Sequence, residues 1–230
     1  MKYISVLGDS ISTFEGCNPP GYKVYYDIDR QQANAIYIPG KTWWGRVIDA
    51  LGGRLCVNNS YSGSLVSGAQ YHSGCSDERT SGLHNASCRP DIILIYMGFN
   101  DYGYGAEPEF VQGEERDAFE PAYRRMLALI RKNYPEAEVV CGTIMRSCLR
   151  YDDAWVFPER FSGFELTRYN GIIRRVCEEQ GCLLADLSSL GMLYETLDGS
   201  HPTSEGHKTM AAAWIKCLAG LGFDVDANIF

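Results

Sequence analysis

The sequence predicts an α/β protein, a three-layer α/β/α domain in which helices cover both faces of a parallel sheet. Five short apolar runs are typical of strands that are buried on both faces, and segments with the apolar spacing of amphipathic helices separate them. Strands that alternate with helices form right-handed βαβ units, whose ligand sites lie at the carboxyl ends of the strands. We therefore expect the chemistry of this protein at that edge of the sheet.

The predicted strands are short and rich in Ile, Leu and Val. They cover residues 3–7, 55–57, 91–97, 138–141 and 182–185. No stretch of linker composition and no internal repeat divides the chain between them, so we predict a single domain over residues 1–230.

The predicted helices are four segments whose apolar residues share one face, at 44–51, 119–130, 166–176 and 210–218. Thr42 is expected to cap the first of them, and Asp117 and Glu120 are expected to form a capping box before the second. Three further segments show no periodicity and follow strands or polar turns, so we expect them to form walls of the site: 14–41, 68–90 and 143–165.

The composition is that of an ordinary globular protein, with 45% hydrophobic and 22% charged residues. A formal charge of −8 argues against nucleic-acid partners and against an anionic membrane surface. The apolar run at 3–7 is too short for a signal peptide, and the nine cysteines are odd in number and lie mostly in apolar runs. We therefore predict reduced cysteines and a cytoplasmic protein.

Polar residues with catalytic chemistry follow the predicted strands. Ser10 ends the first strand in the sequence Gly-Asp-Ser, so its hydroxyl is expected at the carboxyl edge of the sheet. A serine needs a base to become a nucleophile; His201 is a candidate base, and Asp198 lies close enough in sequence to orient it. Asn100, after the third strand, can donate its side-chain amide to a developing oxyanion.

These motifs resemble those of the SGNH, or GDSL-type, esterase and lipase superfamily. The four matching blocks occur in the order of that family and are Gly8-Asp9-Ser10, Asn58-Asn59-Ser60-Tyr61-Ser62-Gly63, Gly98-Phe99-Asn100-Asp101 and Asp198-Gly199-Ser200-His201. Each block alone is a weak signal, but the four together extend over nearly the whole chain. Phe99 stands where the family often has a smaller or polar residue.

The resemblance implies both a fold and a set of roles. The implied fold is a flavodoxin-like parallel sheet of five strands. The implied catalytic triad is Ser10 as nucleophile, His201 as general base and Asp198 as the residue that orients the histidine. The implied oxyanion hole consists of the backbone N–H groups of Ser10 and Gly63 and the amide of Asn100.

We therefore expect a serine esterase that works through an acyl-enzyme and needs no metal or organic cofactor. The favoured substrate is a small-molecule or carbohydrate ester with a short acyl group, such as an acetylated sugar, because no amphipathic lid or basic membrane-facing stretch is evident. Two alternatives remain open. One is a thioesterase or lysophospholipase with the same triad, and the other is a non-catalytic flavodoxin-like binder of a sugar or phosphate.

One segment carries side chains that can bind metals, namely His72, Cys75, Asp77, His84 and Cys88. Their spacing matches no strong zinc pattern, and a tetrahedral site needs four convergent ligands. We therefore predict a surface loop with a short helix that begins at Ser76 or Asp77, and no metal site.

Overall fold

The structure is a computed structural model that describes residues 1–68, 72–109 and 117–226. Its strands are β1 (Tyr3–Gly8), β2 (Arg54–Ser60), β3 (Ile92–Tyr96), β4 (Glu138–Gly142), β5 (Ser147–Leu149), β6 (Asp152–Val156), β7 (Arg160–Phe161), β8 (Phe164–Glu165), β9 (Leu183–Ala185) and β10 (Tyr194–Thr196). Five of them form a parallel sheet in the order β2-β1-β3-β4-β9. These five correspond to the five predicted strands, and the predicted flavodoxin-like order is confirmed.

The helices are α1 (Ile28–Ala33), α2 (Trp43–Ala50), α3 (Asp77–Ser81), α4 (Phe99–Tyr104), α5 (Phe119–Asn133), α6 (Leu166–Gln180) and α7 (Ser204–Gly220). Helix α2 packs against α7, whereas α5 packs against both α3 and α6. The two groups cover opposite faces of the sheet, so the predicted three-layer α/β/α architecture is confirmed. Short 3-10 turns lie at Ser10–Ser12, Pro39–Lys41 and Leu187–Leu190.

The helix starts differ in how well the sequence predicts them. Thr42 caps α2 as predicted, because its side-chain oxygen accepts a hydrogen bond from the Gly45 N–H. The prediction that Asp117 and Glu120 form a capping box is wrong, because Ala118 is the N-cap residue of α5 and makes no side-chain hydrogen bond there. In the Asp-x-x-Glu pattern the helix starts one residue later than the box requires.

A second, smaller sheet was not predicted. Strands β5, β6 and β10 pair in the order β10-β5-β6, and β7 and β8 form a separate two-stranded hairpin. Most of these strands fall in the segment 143–165, where the apolar pattern is too short to show a period. The small sheet lies next to the polar turn that follows β10, and it therefore positions part of the candidate site.

The core between α2 and α7 is aromatic. The rings of Trp43 and Trp214 stack with centroids 5.1 Å apart, and both side chains are fully buried. His207 is also fully buried and its Nδ1 accepts a hydrogen bond from the Trp43 N–H at the start of α2. Burial lowers the pKa of His207 to about 3, so this residue is a neutral part of the core.

The cysteines depart from the prediction in one pair. Cys56 in β2 and Cys88 before β3 form a disulfide, so the expectation of reduced cysteines is wrong for these two. Cys141 and Cys177 are free and buried, as their apolar surroundings predict. The cytoplasmic location stays a prediction. None of the helices in the described ranges is both long and apolar enough to cross a membrane.

Candidate active site

Ser10 lies where β1 ends at the carboxyl edge of the sheet. It is the first residue of a 3-10 turn, and the carboxylate of Asp9 caps that turn by accepting a hydrogen bond of 2.9 Å from the Ile11 N–H. The turn is held against neighbouring elements by Trp44, whose indole Nε1 donates to the Ser12 carbonyl. Only 7% of Ser10 is exposed, so its hydroxyl is fixed in a largely dry environment.

His201 and Asp198 lie in the turn between β10 and α7 and reach Ser10 from there. Ser10 Oγ is 2.9 Å from His201 Nε2, and His201 Nδ1 is 2.7 Å from Asp198 Oδ2. The structure thus brings together three residues that are up to 191 positions apart in the chain. A base in contact with a hydroxyl on one side and a carboxylate on the other is the arrangement that activates a serine.

Asp198 is held in its charged form. Burial acts to raise the pKa of its carboxyl group, but the hydrogen bond and charge of the His201 ring outweigh burial and hold that pKa well below its usual range. The backbone N–H groups of Ser200 and His201 add to this effect by donating to Oδ1, over 2.9 and 2.8 Å. Asp198 is therefore available as an acceptor for the imidazole N–H at any ordinary pH.

The turn that carries Asp198 and His201 is fixed at Gly199. Ser147 Oγ in β5 donates to the Gly199 carbonyl over 2.6 Å, and the Gly199 N–H donates to Thr196 Oγ1 over 3.0 Å. Gly199 has φ +86°, and a Cβ atom at this position would lie 2.7 Å from the ring of Trp155. Only glycine fits this conformation and this contact, so the turn depends on the small sheet for its position.

The predicted oxyanion donors lie at the carboxyl ends of the strands next to Ser10. Gly63, with φ +81°, follows β2, and among the described residues neither its N–H nor that of Ser10 has an acceptor. Asn100 lies in the first turn of α4, after β3. Its Nδ2 donates one hydrogen to the Ser64 carbonyl at 2.9 Å, which leaves its second hydrogen for another acceptor.

Arg79 is a part of this site that the sequence analysis missed. Its side chain is fully buried, and its guanidinium donates to the carbonyls of Gly8, Asn59 and His72 and to the hydroxyl of Ser64. These acceptors lie at the end of β1, at the end of β2 and in the loop that follows Gly63. Arg79 therefore connects the turn of Ser10 to the loop that follows Gly63, one of the predicted oxyanion donors. No signal in the sequence separates it from the exposed arginines.

Two buried carboxyl groups support the same region. Asp101 accepts hydrogen bonds from the N–H groups of Val66 and Ser67 and from the Ser67 hydroxyl, and burial raises its pKa. Burial also raises the pKa of Asp9, to about 7, and the nearby charge of Asp101 acts in the same direction. The hydrogen bond from the Ile11 N–H acts in the opposite direction. Oδ2 of Asp9 has no hydrogen-bond partner among the described residues.

The side chains considered for a metal are used in other ways. The ring of His72 stacks on Tyr61 with centroids 5.0 Å apart, His84 Nδ1 contacts the Tyr134 hydroxyl, and Cys88 belongs to the disulfide. The described residues contain no group of three or more His, Cys, Asp or Glu side chains that could hold a metal ion. The predicted short helix is confirmed as α3, which Ser76 caps.

Comparison with known proteins identifies the family. The family model of the GDSL-like lipases/acylhydrolases matches residues 2–152. A candidate GDSL-like lipase from Bacteroides ovatus has 26% sequence identity and a TM-score of 0.73, over 96% of this chain and 99% of that chain. A second one from Bacteroides uniformis has 26% identity and a TM-score of 0.73, over 95% and 96%.

A third solved structure shares the fold alone. It is an active-site mutant of a family two carbohydrate esterase from Clostridium thermocellum, with 17% identity and a TM-score of 0.56 over 96% of this chain and 64% of that chain. No protein of curated function matches the sequence. The match of the family model extends over well more than half of the chain, includes three of the four motifs and confirms the family resemblance. The chain therefore belongs to the GDSL-like lipase/acylhydrolase family and is a carboxylic ester hydrolase with the SGNH hydrolase fold.

Proposed function

We propose that this protein is a serine esterase in which Ser10 is the nucleophile, His201 the general base and Asp198 the residue that orients the base. The observation that carries the proposal is the unbroken chain of hydrogen bonds from Ser10 Oγ through His201 to Asp198, with lengths of 2.9 and 2.7 Å. The charged state of Asp198 supports it, because a carboxylate fixes the tautomer in which His201 Nε2 can accept the serine proton.

The reaction then follows in two halves. Ser10 Oγ forms a bond to the ester carbonyl carbon while His201 Nε2 takes the hydroxyl proton, and the carbonyl oxygen becomes an oxyanion. His201 returns that proton to the alcohol as its bond to the acyl carbon breaks, which leaves an acyl group on Ser10. Water then loses a proton to His201 and attacks the acyl carbon, and the acid departs as Ser10 regains its proton.

The oxyanion hole of this proposal consists of the Ser10 N–H, the Gly63 N–H and the Asn100 amide. What supports it is donor capacity: the two backbone N–H groups have no acceptor within the described part of the chain, and Asn100 has one hydrogen left. Arg79 and Asp101 hold the loop that follows Gly63: Arg79 donates to the Ser64 hydroxyl, and Asp101 accepts from backbone N–H groups of the same loop. Donors that are fixed before the reaction lose little free energy to reorganisation when the oxyanion forms.

For the substrate we propose an ester with a short acyl group on a carbohydrate. Aromatic side chains beside the catalytic turn support a sugar as the alcohol portion, since Trp155 packs on Gly199 and Tyr151 in the adjoining turn is 86% exposed. Flat aromatic faces suit sugar rings. The carbohydrate esterase with the same fold is too distant in sequence to add to this argument.

The test of the triad is the loss of turnover in Ser10→Ala. We expect hydrolysis of p-nitrophenyl acetate to fall by a factor of at least about 10⁴, with an unchanged circular dichroism spectrum, because the change removes only the attacking oxygen. The matched control is Ser12→Ala, which removes a buried hydroxyl from the same 3-10 turn without touching His201. Wild-type turnover in folded Ser10→Ala protein contradicts the proposal.

The test of the substrate is a series of p-nitrophenyl esters of increasing chain length, together with acetylated sugars and an acyl thioester. We expect kcat/KM to be highest for the acetyl ester and to rise further with an acetylated sugar. If kcat/KM is instead highest for acyl chains of about eight or more carbons, or for the thioester, the result supports the alternative of a lysophospholipase or a thioesterase.

A further inference from the structure

Tyr25 contacts both the base and the acid of the proposed triad. Its ring lies flat on the imidazole of His201, with the centroids 3.4 Å apart and the planes inclined by 6°. Its hydroxyl donates a hydrogen bond of 2.9 Å to Asp198 Oδ2, the same oxygen that contacts His201 Nδ1. The side chain is half-buried between them.

The backbone of Tyr25 is tied to the nucleophile as well. The Tyr25 N–H donates to Thr13 Oγ1 over 2.9 Å, and the Thr13 hydroxyl donates to the Ser10 carbonyl over 2.9 Å. Tyr25 therefore bridges the turn of Ser10 and the turn of Asp198 and His201, which approach each other from opposite ends of the chain. No other residue in the described ranges has a hydrogen bond to Asp198 from outside its own turn.

We propose that Tyr25 is a positioning residue of the catalytic group, which orients His201 through Asp198 and stabilises its protonated form with the face of its ring. This inference rests on the proposed function, because it assigns Tyr25 to the triad of Ser10, His201 and Asp198. Nothing in the four sequence motifs includes position 25.

The ring acts when His201 carries the serine proton. An aromatic face is electron-rich and attracts a cation that lies over it, and stacking at this distance puts the whole imidazolium over the ring. The hydroxyl acts in the opposite direction. By donating to Asp198 Oδ2 it takes up part of the carboxylate charge, and this weakens the attraction of Asp198 for the imidazolium. The two contributions can therefore be separated by substitution.

The titratable groups near His201 in the described ranges include Asp198, Tyr25 and the buried His207 of α7, which burial keeps neutral. Asp198 contacts His201 from within its turn, Ser10 contacts it from the end of β1, and Tyr25 covers its face. Behind Tyr25, the guanidinium of Arg30 in α1 lies 5.1 Å from the ring centroid and forms an ion pair with Asp27. Burial, followed by the charge of Asp198, raises the pKa of Tyr25 far above its ordinary value, so its hydroxyl remains a donor throughout the assay range.

The experiment compares Tyr25→Phe with Tyr25→Leu. Phenylalanine keeps the ring and removes the hydroxyl, whereas leucine still covers the imidazole but has no aromatic face. We expect kcat to fall about fivefold in Tyr25→Phe and about 30-fold in Tyr25→Leu, with KM unchanged in both. We also expect the pKa of the acidic limb of the kcat/KM profile to rise from the wild type to Tyr25→Phe, and to be lower in Tyr25→Leu, which lacks both the hydroxyl and the ring, than in Tyr25→Phe.

The step from the wild type to Tyr25→Phe measures the hydroxyl, and the step from Tyr25→Phe to Tyr25→Leu measures the ring. Opposite shifts of the limb at these two steps identify the two contributions, because a general loosening of the site moves the limb in the same direction at both steps or at neither. Tyr134→Phe is the matched control: it removes a tyrosine hydroxyl that donates to the Ser81 carbonyl and accepts from the Leu83 N–H, and it is expected to lower thermal stability without moving the pH profile. Circular dichroism establishes that each variant is folded.

Two outcomes overturn the inference. One is Tyr25→Leu with kcat within a factor of about two of the wild type and the same acidic limb as Tyr25→Phe, and the other is an acidic limb that moves in the same direction at both steps. Ser10→Ala keeps this result distinct from the proposed function. If Ser10→Ala is inactive while Tyr25→Leu is normal, the triad stands and only the role of Tyr25 fails; if folded Ser10→Ala is active, the proposed function itself fails.

Discussion

The two halves of the candidate site are built in different ways. The nucleophile half, which consists of Ser10, Gly63 and Asn100, lies directly at the carboxyl ends of three adjacent strands of the central sheet. The base turn, residues 197–202, lies outside that sheet between β10 and α7. Exposure reflects the difference: only 7% of Ser10 is exposed, but 42% of the Asp198 side chain is.

The contacts that hold each half differ accordingly. Buried groups within the sheet region fix the nucleophile half, chiefly Arg79, whose hydrogen bonds reach the ends of β1 and β2. The base turn is fixed from outside by single contacts, such as those of Ser147 with Gly199 and of Tyr25 with Asp198. Substitutions in the nucleophile half are therefore expected to affect stability as well as turnover, and substitutions in the base turn to affect turnover far more than stability.

The largest effect is expected in the base turn, from Asp198→Asn. Asparagine fills the same space, but its amide favours the tautomer of His201 that cannot accept the Ser10 proton. We expect kcat to fall by about 10⁴ and the free energy of unfolding to fall by no more than about 1 kcal/mol, because the contacts that lower the pKa of Asp198 are partly exposed to water. Turnover assays and urea denaturation measure the two quantities.

Asp29→Asn is the control for Asp198→Asn, because it removes an exposed carboxylate from α1. It is expected to leave kcat as it is. If Asp198→Asn retains at least about a tenth of the wild-type kcat, Asp198 does not orient His201, because loss of an orienting carboxylate is expected to lower kcat by about 10⁴.

The next largest effect is expected in the nucleophile half, from Asn100→Ala. If Asn100 donates to the oxygen only as negative charge develops, kcat falls by roughly 10²–10³ while KM changes little. The loss of the hydrogen bond to the Ser64 carbonyl also lowers stability, which distinguishes this variant from Asp198→Asn. Steady-state kinetics and urea denaturation on the same preparation test both parts.

Two neighbouring variants sharpen the result for Asn100. Asn100→Asp is expected to be at least as damaging, because it aims a negative charge at the oxyanion, whereas Phe99→Leu changes only apolar volume and is expected to shift KM or acyl-chain preference. An Asn100→Ala variant with a raised KM and an intact kcat makes Asn100 a ground-state binding residue, and the proposed oxyanion role then fails.

The same contrast explains how far the sequence leads. The five central strands are predictable because each contains a short apolar run, and the strand ends that carry Ser10 and Asn100 are predictable because β1 and β3 are buried along nearly their whole length. The turn of Asp198 and His201 is recognisable as a motif, but its support is not. Strands β5, β6 and β10 have three to five residues each, too few for an alternating pattern to stand out.

The remaining surprises are contacts that depend on tertiary structure alone. In the sequence, Arg79 cannot be distinguished from an exposed arginine. Its guanidinium donates to four acceptors only because the fold brings these acceptors together. Tyr25 lies in a segment without periodicity, 173 positions from the carboxylate that it contacts. His207 shares its helix with exposed residues, and it is buried where its Nδ1 accepts from the Trp43 N–H and its ring packs on Tyr26.

A smaller effect, on stability, is expected from Arg79→Lys. Lysine keeps the positive charge but cannot reproduce the planar fork, so carbonyls at the ends of β1 and β2 lose their donors. We expect the free energy of unfolding to fall by about 2–3 kcal/mol, and kcat to fall with it because the loop of Gly63 loosens. Arg54→Lys, at an exposed position of β2, is the control and is expected to be neutral. Equal stability of the two variants contradicts the role of Arg79 as the tie of the nucleophile half.

The last effect is a dependence of stability on pH, and it concerns the opposite pKa shifts of the two carboxyl groups of the site. Asp198 has a lowered pKa, whereas burial raises the pKa of Asp9 from 3.8 to about 7. Between pH 4 and pH 7 the folded protein therefore keeps a proton on Asp9 that the unfolded chain releases. Stability from this group is fully present below about pH 4 and falls as the pH rises to about 7, by at most about 1.4 kcal/mol per pH unit.

Asp9→Asn removes this slope without removing the cap, because the asparagine Oδ1 can still accept from the Ile11 N–H. Urea denaturation of both proteins at pH 5, 6, 7 and 8 measures it: the stability of the variant relative to the wild type is expected to increase up to about pH 7 and then to stay constant. A fixed offset between the two proteins does not affect this comparison, since only the change with pH is used. If the free energies of unfolding of the two proteins change with pH in parallel, Asp9 is charged in the folded protein. In that case the nucleophile half holds the carboxyl group of Asp9 in the same charged state in which the base turn holds Asp198.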